Sequence, residues 1–206
     1  METLRVAGLL FWIGVLGTCD LHAERREAAR RSKVTVVVCD RAGIDAKTRL
    51  AAKAETIRIL ASGEVGLTWI DSDHESEGSS RFPLDSVEHC TLPPLQTYLF
   101  IQILPRRPKD IITGIETMGA APGTTGPYRR AYVFFDHVKD FAQVCMSSPG
   151  ATAGVILGHA IAHELGHLLI PGRAHSPYGI MRDRWGAPEC LRVASGNMLF
   201  DRPIPF

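Results

Sequence analysis

The sequence has no excess of either charge. Its 206 residues contain 23 Lys and Arg against 22 Asp and Glu, which gives a formal net charge of +1 at pH 7. Nucleic-acid binding depends on clustered cations that neutralise phosphates, and the chain has no stripe of Lys and Arg. This argues against nucleic acid as the main partner. Internal repeats and low-complexity tracts are also missing, and the length suits one domain.

The chain also lacks an apolar run long enough to cross a membrane. The run at residues 6–17 has twelve residues, whereas a spanning helix needs about 20. It follows Arg5 and precedes a Leu-His-Ala tripeptide that ends at Ala23, which is typical of a secretory signal peptide covering residues 1–23. An uncleaved anchor or a buried N-terminal element is the alternative. We expect no stable membrane span and a secreted, periplasmic or cell-envelope protein.

The five cysteines include no Cys-x-x-Cys pair, so a zinc knuckle is not expected. Cys19 ends a Leu-Gly-Thr-Cys stretch that resembles a bacterial lipoprotein box, and signal cleavage before Cys19 would leave a lipid anchor on it. Beyond residue 23 the number of cysteines is even, in a chain expected to reach an oxidising compartment. One interpretation is that these four cysteines are buried free thiols. The other is two disulfides, with three possible connectivities among Cys39, Cys90, Cys145 and Cys190.

The regular structure is expected to begin after a charged, flexible start at residues 24–32. The first elements predicted are a buried strand at 34–38, a helix capped by Asp45 and ended by Gly63, and a strand at 65–70. Together they predict a β-α-β unit with a parallel pair and a right-handed crossover.

In the second half of the chain, three strands are predicted before one helix. A Pro/Gly-rich loop at 120–127 separates the last two of its predicted strands, and a helix without proline follows at 151–170, ended by Pro171-Gly172. The strands of this half are predicted at 98–104, 111–119 and 131–135.

The helix at 151–170 contains the pattern His-Glu-x-x-His, formed by His163, Glu164 and His167. Residues four apart lie one turn apart on the same face of a helix, so both imidazoles can bind one ion. A catalytic zinc site has three protein ligands and leaves its fourth position to water. Glu164 lies on the neighbouring helix face, beside that water, and is the expected general base.

A third histidine follows the end of this helix. Gly172 permits a sharp reversal that can return His175 to the face of the other two imidazoles. With Met181 further on, residues 163–181 resemble the metzincin clan of zinc metallopeptidases, and small bacterial secreted metzincins in particular. The clan's signature is H-E-x-x-H-x-x-G-x-x-H followed by a methionine turn below the metal. The connection to the third histidine is two residues longer here than in that signature.

The resemblance implies an α+β fold with a twisted mixed sheet, an antiparallel edge strand, a crossover helix and an active-site helix. These would form an upper part at 33–172, followed by a small lower lobe at 173–206. Residues 111–119 would be the edge strand that binds an extended peptide or protein substrate, with 131–135 the next strand inward. Met181 would form an apolar floor below one catalytic Zn²⁺ without binding it. The implied activity is that of a secreted, monomeric zinc endopeptidase.

Two residues near the motif have open roles. His159 lies one turn before His163, and three consecutive turns of one helix cannot all converge on one ion. It is therefore expected either to support a metal ligand from behind or to lie on the helix surface. Tyr178 could stabilise the oxyanion, as a tyrosine near the methionine turn does in some metzincins, although here it precedes Met181.

Two other functions fit the same residues. In a gluzincin arrangement a downstream carboxylate, that of Glu189, would replace His175 as the third ligand. Gly186 and Pro188 argue against the helix that this arrangement needs. Alternatively, the protein could be a catalytically silent zinc-binding module that presents its edge strand, or the acidic loop at residues 71–80, to a partner. Glu164 argues against this, because the carboxylate is needed for chemistry and not for metal binding.

Overall fold

Among the described residues, five strands form one mixed sheet. They are β1 (Ser32–Asp40), β2 (Val65–Ser72), β3 (Tyr98–Leu104), β4 (Gly119–Gly123) and β5 (Arg129–Phe134), in the order β2-β1-β3-β5-β4. β3 is parallel to both β1 and β5, and β4 is antiparallel to β5 at the edge of the sheet. The predicted α+β class, with an antiparallel edge strand, is confirmed.

A computed structural model describes residues 32–72, 98–109, 111, 117–123, 129–170, 172 and 175–205. The predicted signal peptide, the lipid anchor at Cys19, nearly all of the charged start and Cys90 lie outside these residues. Lys33–Phe206 forms a compact unit. No helix in the described ranges is long and apolar enough to span a membrane.

In the part of the chain that the structure describes, four helices accompany the sheet: α1 (Ala46–Ser62), α2 (Phe135–Val144), α3 (Ala153–Leu169) and α4 (Ala187–Ala194). The Asp45 carboxylate caps α1 by accepting a hydrogen bond of 2.9 Å from the Thr48 N–H. Gly63 follows the last turn, so both predicted ends of α1 are confirmed. The hydroxyl of Thr152 caps α3 in the same way, through the N–H of Val155.

The edge strand lies later in the chain than the sequence predicts. Residues 111–119 are the predicted strand and 120–127 the predicted loop, but β4 covers Gly119–Gly123 and the prediction of these bounds is wrong. An edge strand forms ladder hydrogen bonds on one side only, so it tolerates the glycines and Pro122 that suggest a turn. The next strand inward is β5, close to the predicted residues 131–135.

Helix α4 contradicts the interpretation of Gly186 and Pro188 as signs against a helix. The first-turn N–H groups of a helix have no intrahelical acceptor, so proline is tolerated there. The Glu189 carboxylate accepts a hydrogen bond of 2.9 Å from the Gly186 N–H, which satisfies one of these donors. The two residues therefore begin the helix rather than prevent it.

Helix α2 is not predicted at all, although its pattern is present in the sequence. Phe134, Val138, Phe141 and Cys145 recur at helical spacing, and all four are buried. The helix follows β5 without a connecting loop and has no side-chain cap at Phe134. The usual boundary signals are therefore missing.

One of the two predicted disulfides is present. Cys145, at the C-terminal end of α2, is bonded to Cys190 in α4, across a sequence separation of 45 residues. Cys39 is buried in β1. The main hydrophobic core includes the sheet and the C-terminal segment alike, with Ile180, Met181, Val193, Met198 and Phe200 among its members.

Candidate metal centre

The candidate metal centre is built on α3, the most apolar of the described helices. Most of its residues are buried, and the Thr152 cap fixes where it begins. Its few polar side chains are therefore surrounded by apolar residues, where an unpaired polar group is costly. They are His159, His163, Glu164 and His167.

The structure brings the three predicted histidines together. The Nε2 atoms of His163 and His167 are 3.0 Å apart, as expected for side chains one helical turn apart. Gly172 has a φ of +86°, in the left-handed region that glycine adopts easily, and it lies where the chain turns back beyond α3. One potential ligand atom from each ring, with His175 included, lies within 4.8 Å of the other two.

The arrangement of the rings fits a divalent transition metal. Nδ1 of His163 donates a hydrogen bond of 2.7 Å to the Ile180 carbonyl, which leaves the Nε2 lone pair facing the other imidazoles. Desolvation lowers the pKa of His163 to about 4, so this ring is neutral, as a ligand must be. Tetrahedral bonds of about 2.0–2.1 Å would separate ligand nitrogens by about 3.3 Å, close to the observed spacing on α3. Imidazole ligands suit zinc and its neighbours in the transition series.

The Met181 side chain packs against α3, the helix that carries His163 and His167. Its side chain is buried, and its sulfur contacts α3 at Gly166, where an added Cβ would lie 3.1 Å from the Met181 methyl and closer still to the sulfur. The Met181 carbonyl accepts a hydrogen bond of 2.9 Å from the N–H of Ser176, next to His175. This turn therefore supports the third histidine through its backbone and α3 through its side chain.

Glu164 is buried next to His163, His167 and His175, which are called the histidine triad below. The side chain is 4% exposed, and its Oε2 atom has no hydrogen-bond partner among the described residues. Burial raises the pKa of this carboxyl to about 8. A buried carboxyl group with an unsatisfied oxygen, next to three imidazoles, is the arrangement expected around a cation and its water.

The edge strand closes over this carboxylate. An ideal Cβ placed on Gly119 would lie 2.7 Å from both Cγ and Cδ of Glu164, a separation that real Cβ atoms essentially never show. Only glycine permits such close contact between β4 and the Glu164 side chain. No local pattern in the sequence marks Gly119, because its importance depends on a partner 45 residues later in the chain.

A cleft of about 1040 Å³ runs past the triad and is lined by the edge strand, α2, α3 and the segment 182–185. His163, Glu164 and His175 all line it. Trp185 is in edge-to-face contact with His163, with ring centroids 6.0 Å apart. Neither α2 nor Trp185 is expected from the sequence to belong to the site, since no local motif marks either.

His159 is buried rather than on the helix surface, which removes one of its two predicted roles. Its Nδ1 donates to the Val155 carbonyl at 2.9 Å, and its Nε2 lies 3.4 Å from a Glu55 carboxylate oxygen. The ring also packs edge-to-face against Trp185, which in turn contacts His163. Trp185 therefore links His159 to the candidate metal centre.

Tyr178 and Glu189 do not lie where their predicted roles, oxyanion stabilisation and metal binding, would require. Tyr178 is 67% exposed and is not one of the described residues that line the cleft. The Glu189 carboxylate accepts hydrogen bonds from the Gly186 N–H and, at 3.0 Å, from the Arg182 guanidinium. It therefore holds the start of α4 and does not join the histidine group found among the described residues.

The metal-free protein should become less stable as pH rises, because of Glu164. The carboxyl has a pKa of about 8 in the fold against 4.5 when exposed. For an acid whose pKa is raised by folding, stability is highest below the unfolded value and falls as pH rises toward the folded value. Relative to Glu164→Gln, the free energy of unfolding should fall by on the order of a few kcal/mol across this interval.

Urea denaturation of both proteins with a chelator, between pH 4.5 and pH 8, measures this difference directly. If the two stabilities changed in parallel with pH, the carboxyl would not be desolvated as described.

No protein-family model matches this sequence, and no curated protein is similar to it.

Proposed function

We propose that the protein is a zinc-dependent endopeptidase, with His163, His167 and His175 holding the metal and Glu164 acting as general base. The observation that supports this most strongly is the buried Glu164 carboxylate in the same cleft as the three imidazoles. Three histidines alone would suffice for metal binding. The carboxylate, whose burial is costly, is needed only for proton transfer.

Zinc held there would polarise a carbonyl and lower the pKa of a water molecule toward about 7. Glu164 accepts a proton from this water, at the carboxylate oxygen that otherwise lacks a hydrogen-bond partner among the described residues. It then donates the proton to the amine that leaves when the peptide bond is cleaved. Meanwhile the Ile180 carbonyl keeps His163 in the tautomer that binds metal.

The substrate we propose is an extended peptide or protein segment paired with β4. One side of β4 pairs with β5, and no strand in the described part of the chain pairs with the other. An unpaired strand edge offers backbone donors and acceptors to a peptide. Gly119 brings this edge against Glu164, so a paired peptide would pass next to the base.

The Cys145–Cys190 disulfide supports an oxidising location for this activity, in line with the proposed secretion or export to the periplasm.

Metal analysis together with digestion of a mixed peptide library tests the proposed function. The chain from residue 24 onward should contain one zinc ion per molecule and cleave peptides. Chelation should abolish the cleavage and added zinc should restore it. Tight zinc binding without turnover of any peptide or unfolded protein would instead identify a silent zinc-binding module.

Replacing Gly119 with alanine should reduce hydrolysis while zinc binding persists. The added methyl group would displace the Glu164 side chain or push β4 outward. A misplacement of about 1 Å in a catalytic group can lower the rate by about 100-fold. In Gly119→Ala, the rate constant for hydrolysis should therefore fall while the zinc content stays unchanged.

Gly186→Ala is the matched control, because an added Cβ there has its nearest neighbour at 3.8 Å. Full activity in Gly119→Ala would show that β4 does not constrain the base.

A further inference from the structure

The part of the cleft beyond the metal centre follows α3 toward its N-terminal end. Ala160 lines it, one turn before His163 and Glu164. One helical turn corresponds to about 5.4 Å, so a side chain next to the reacting bond can reach this region. Phe141 and Trp185 also line it and are in edge-to-face contact, with ring centroids 5.9 Å apart. An aromatic surface therefore lies within one side-chain length of the metal centre.

The charges around this aromatic surface nearly cancel, with one exception. The Arg182 guanidinium is bound to the Glu189 carboxylate at 3.0 Å, and Asp183 and Arg184 are adjacent and of opposite sign. Asp140, on α2, lines the cleft too, and no hydrogen bond or ion pair to its carboxylate exists within the described ranges. Asp140 is therefore the uncompensated charge of this region.

Helix α2 adds to the negative potential at this place. Asp140, Phe141 and Val144 belong to its last two turns and line the cleft. The C-terminal end of a helix has a partial negative charge, and α2 has no basic residue in its last turn to offset it. The nearest cation along the helix, Lys139, lies over the Phe135 ring at 5.5 Å instead.

We infer that this region binds a lysine or arginine side chain of the peptide substrate, next to the scissile bond, with Asp140 as the residue that selects it. The inference rests on the proposed function and specifies the substrate class. The aliphatic stem of Lys or Arg packs on apolar surface while its charged head stays near water. Aromatic faces attract such cations as well. The Asp140 carboxylate, at the exposed side of the cleft, binds the head group.

Peptides that differ in one residue next to the scissile bond test this selection. On each side of the bond in turn, the residue is Arg, Lys, Leu, Phe or Glu, and kcat/KM is measured for the zinc-loaded enzyme. On one side of the bond, Arg and Lys should exceed Leu and Phe by about tenfold, as a charge-assisted hydrogen bond implies. Glu should be the poorest. Asp140→Asn should abolish the preference and Asp140→Lys should reverse it in favour of Glu.

Asp136→Asn is the matched control, since it removes the same charge from the same helix at a residue that does not line the cleft. It should keep the preference of the unmodified enzyme. An unchanged preference in Asp140→Asn, or a preference for Phe over Arg in the unmodified enzyme, would overturn the inference and leave the proposed function intact.

Peptide binding to an inactive variant tests the selection by Asp140 separately from the proposed peptidase activity. Zinc-loaded Glu164→Gln, prepared from residue 24 onward in a Trp69→Phe background, lacks Trp12 and Trp69 and so reports peptide binding through the fluorescence of Trp185. The Arg peptide should bind about tenfold more tightly than the Leu peptide, and only with Asp140 present. If no peptide were hydrolysed by any variant, the proposed function would fail. This binding difference would then decide the inference by itself, and equal affinities would overturn it.

Discussion

Glu164→Gln should lower kcat/KM for peptide hydrolysis by about a thousandfold or more while the protein still binds one zinc ion. Glutamine has nearly the same shape as glutamate, so β4 and α3 keep their contact at Gly119. It cannot accept the proton of the attacking water. The three histidines are untouched, so the metal stays bound. The measurement is steady-state hydrolysis of a single fluorogenic peptide together with the zinc content of each sample.

Glu64→Gln is a suitable control, because Glu64 is exposed and precedes β2, outside the set of residues that line the cleft. It should leave kcat/KM and zinc content unchanged. Equal activity in Glu164→Gln and the unmodified enzyme would end the assignment of Glu164 as general base.

His175→Ala should lower zinc affinity by more than about 100-fold, since even residues that only support a metal ligand contribute 10- to 100-fold. The ring of His175 lies 5.4 Å from that of His163 and 4.8 Å from that of His167, between centroids. Its removal leaves two ligands on one helix and, among the described residues, no third. Competition with a chromophoric chelator measures the affinity, and the loss of activity should follow the loss of zinc.

Glu189→Gln is the companion variant, because Glu189 is the third ligand in the gluzincin arrangement. Its carboxylate caps α4 and pairs with Arg182, so the variant should lose about 1 kcal/mol of stability and keep its zinc affinity. A loss of zinc in Glu189→Gln, with full zinc binding in His175→Ala, would reverse the assignment of the third ligand.

The elements that the sequence predicts correctly are those with complete local signals. α1 has Asp45 at one end and Gly63 at the other, and α3 has the Thr152 cap and a run of residues without proline. β1 and β3 are short runs of apolar residues between breakers. The histidine motif depends on one helix and one turn, so its three rings could also be expected to meet.

The elements that escape prediction are those whose signals depend on distant partners. The glycines and Pro122 of β4 suggest a turn, and only pairing with β5 makes them a strand. Pro188 argues against a helix when read alone. The start of α4 is nevertheless stabilised, because the Glu189 carboxylate accepts a hydrogen bond from the Gly186 N–H. Gly119 and Trp185 belong to the site because of contacts across the fold, with Glu164 and with His163. No local pattern contains this information.

X-ray absorption spectroscopy at the zinc edge of the purified protein tests the central claim most directly. Three imidazoles gathered around one ion should give three nitrogen ligands at about 2.0–2.1 Å, with the multiple scattering of histidine rings, and one oxygen from solvent. In His175→Ala the signal should fall to two imidazoles or zinc should be lost. A spectrum with sulfur ligands, or with only two imidazoles in the unmodified protein, would contradict the account.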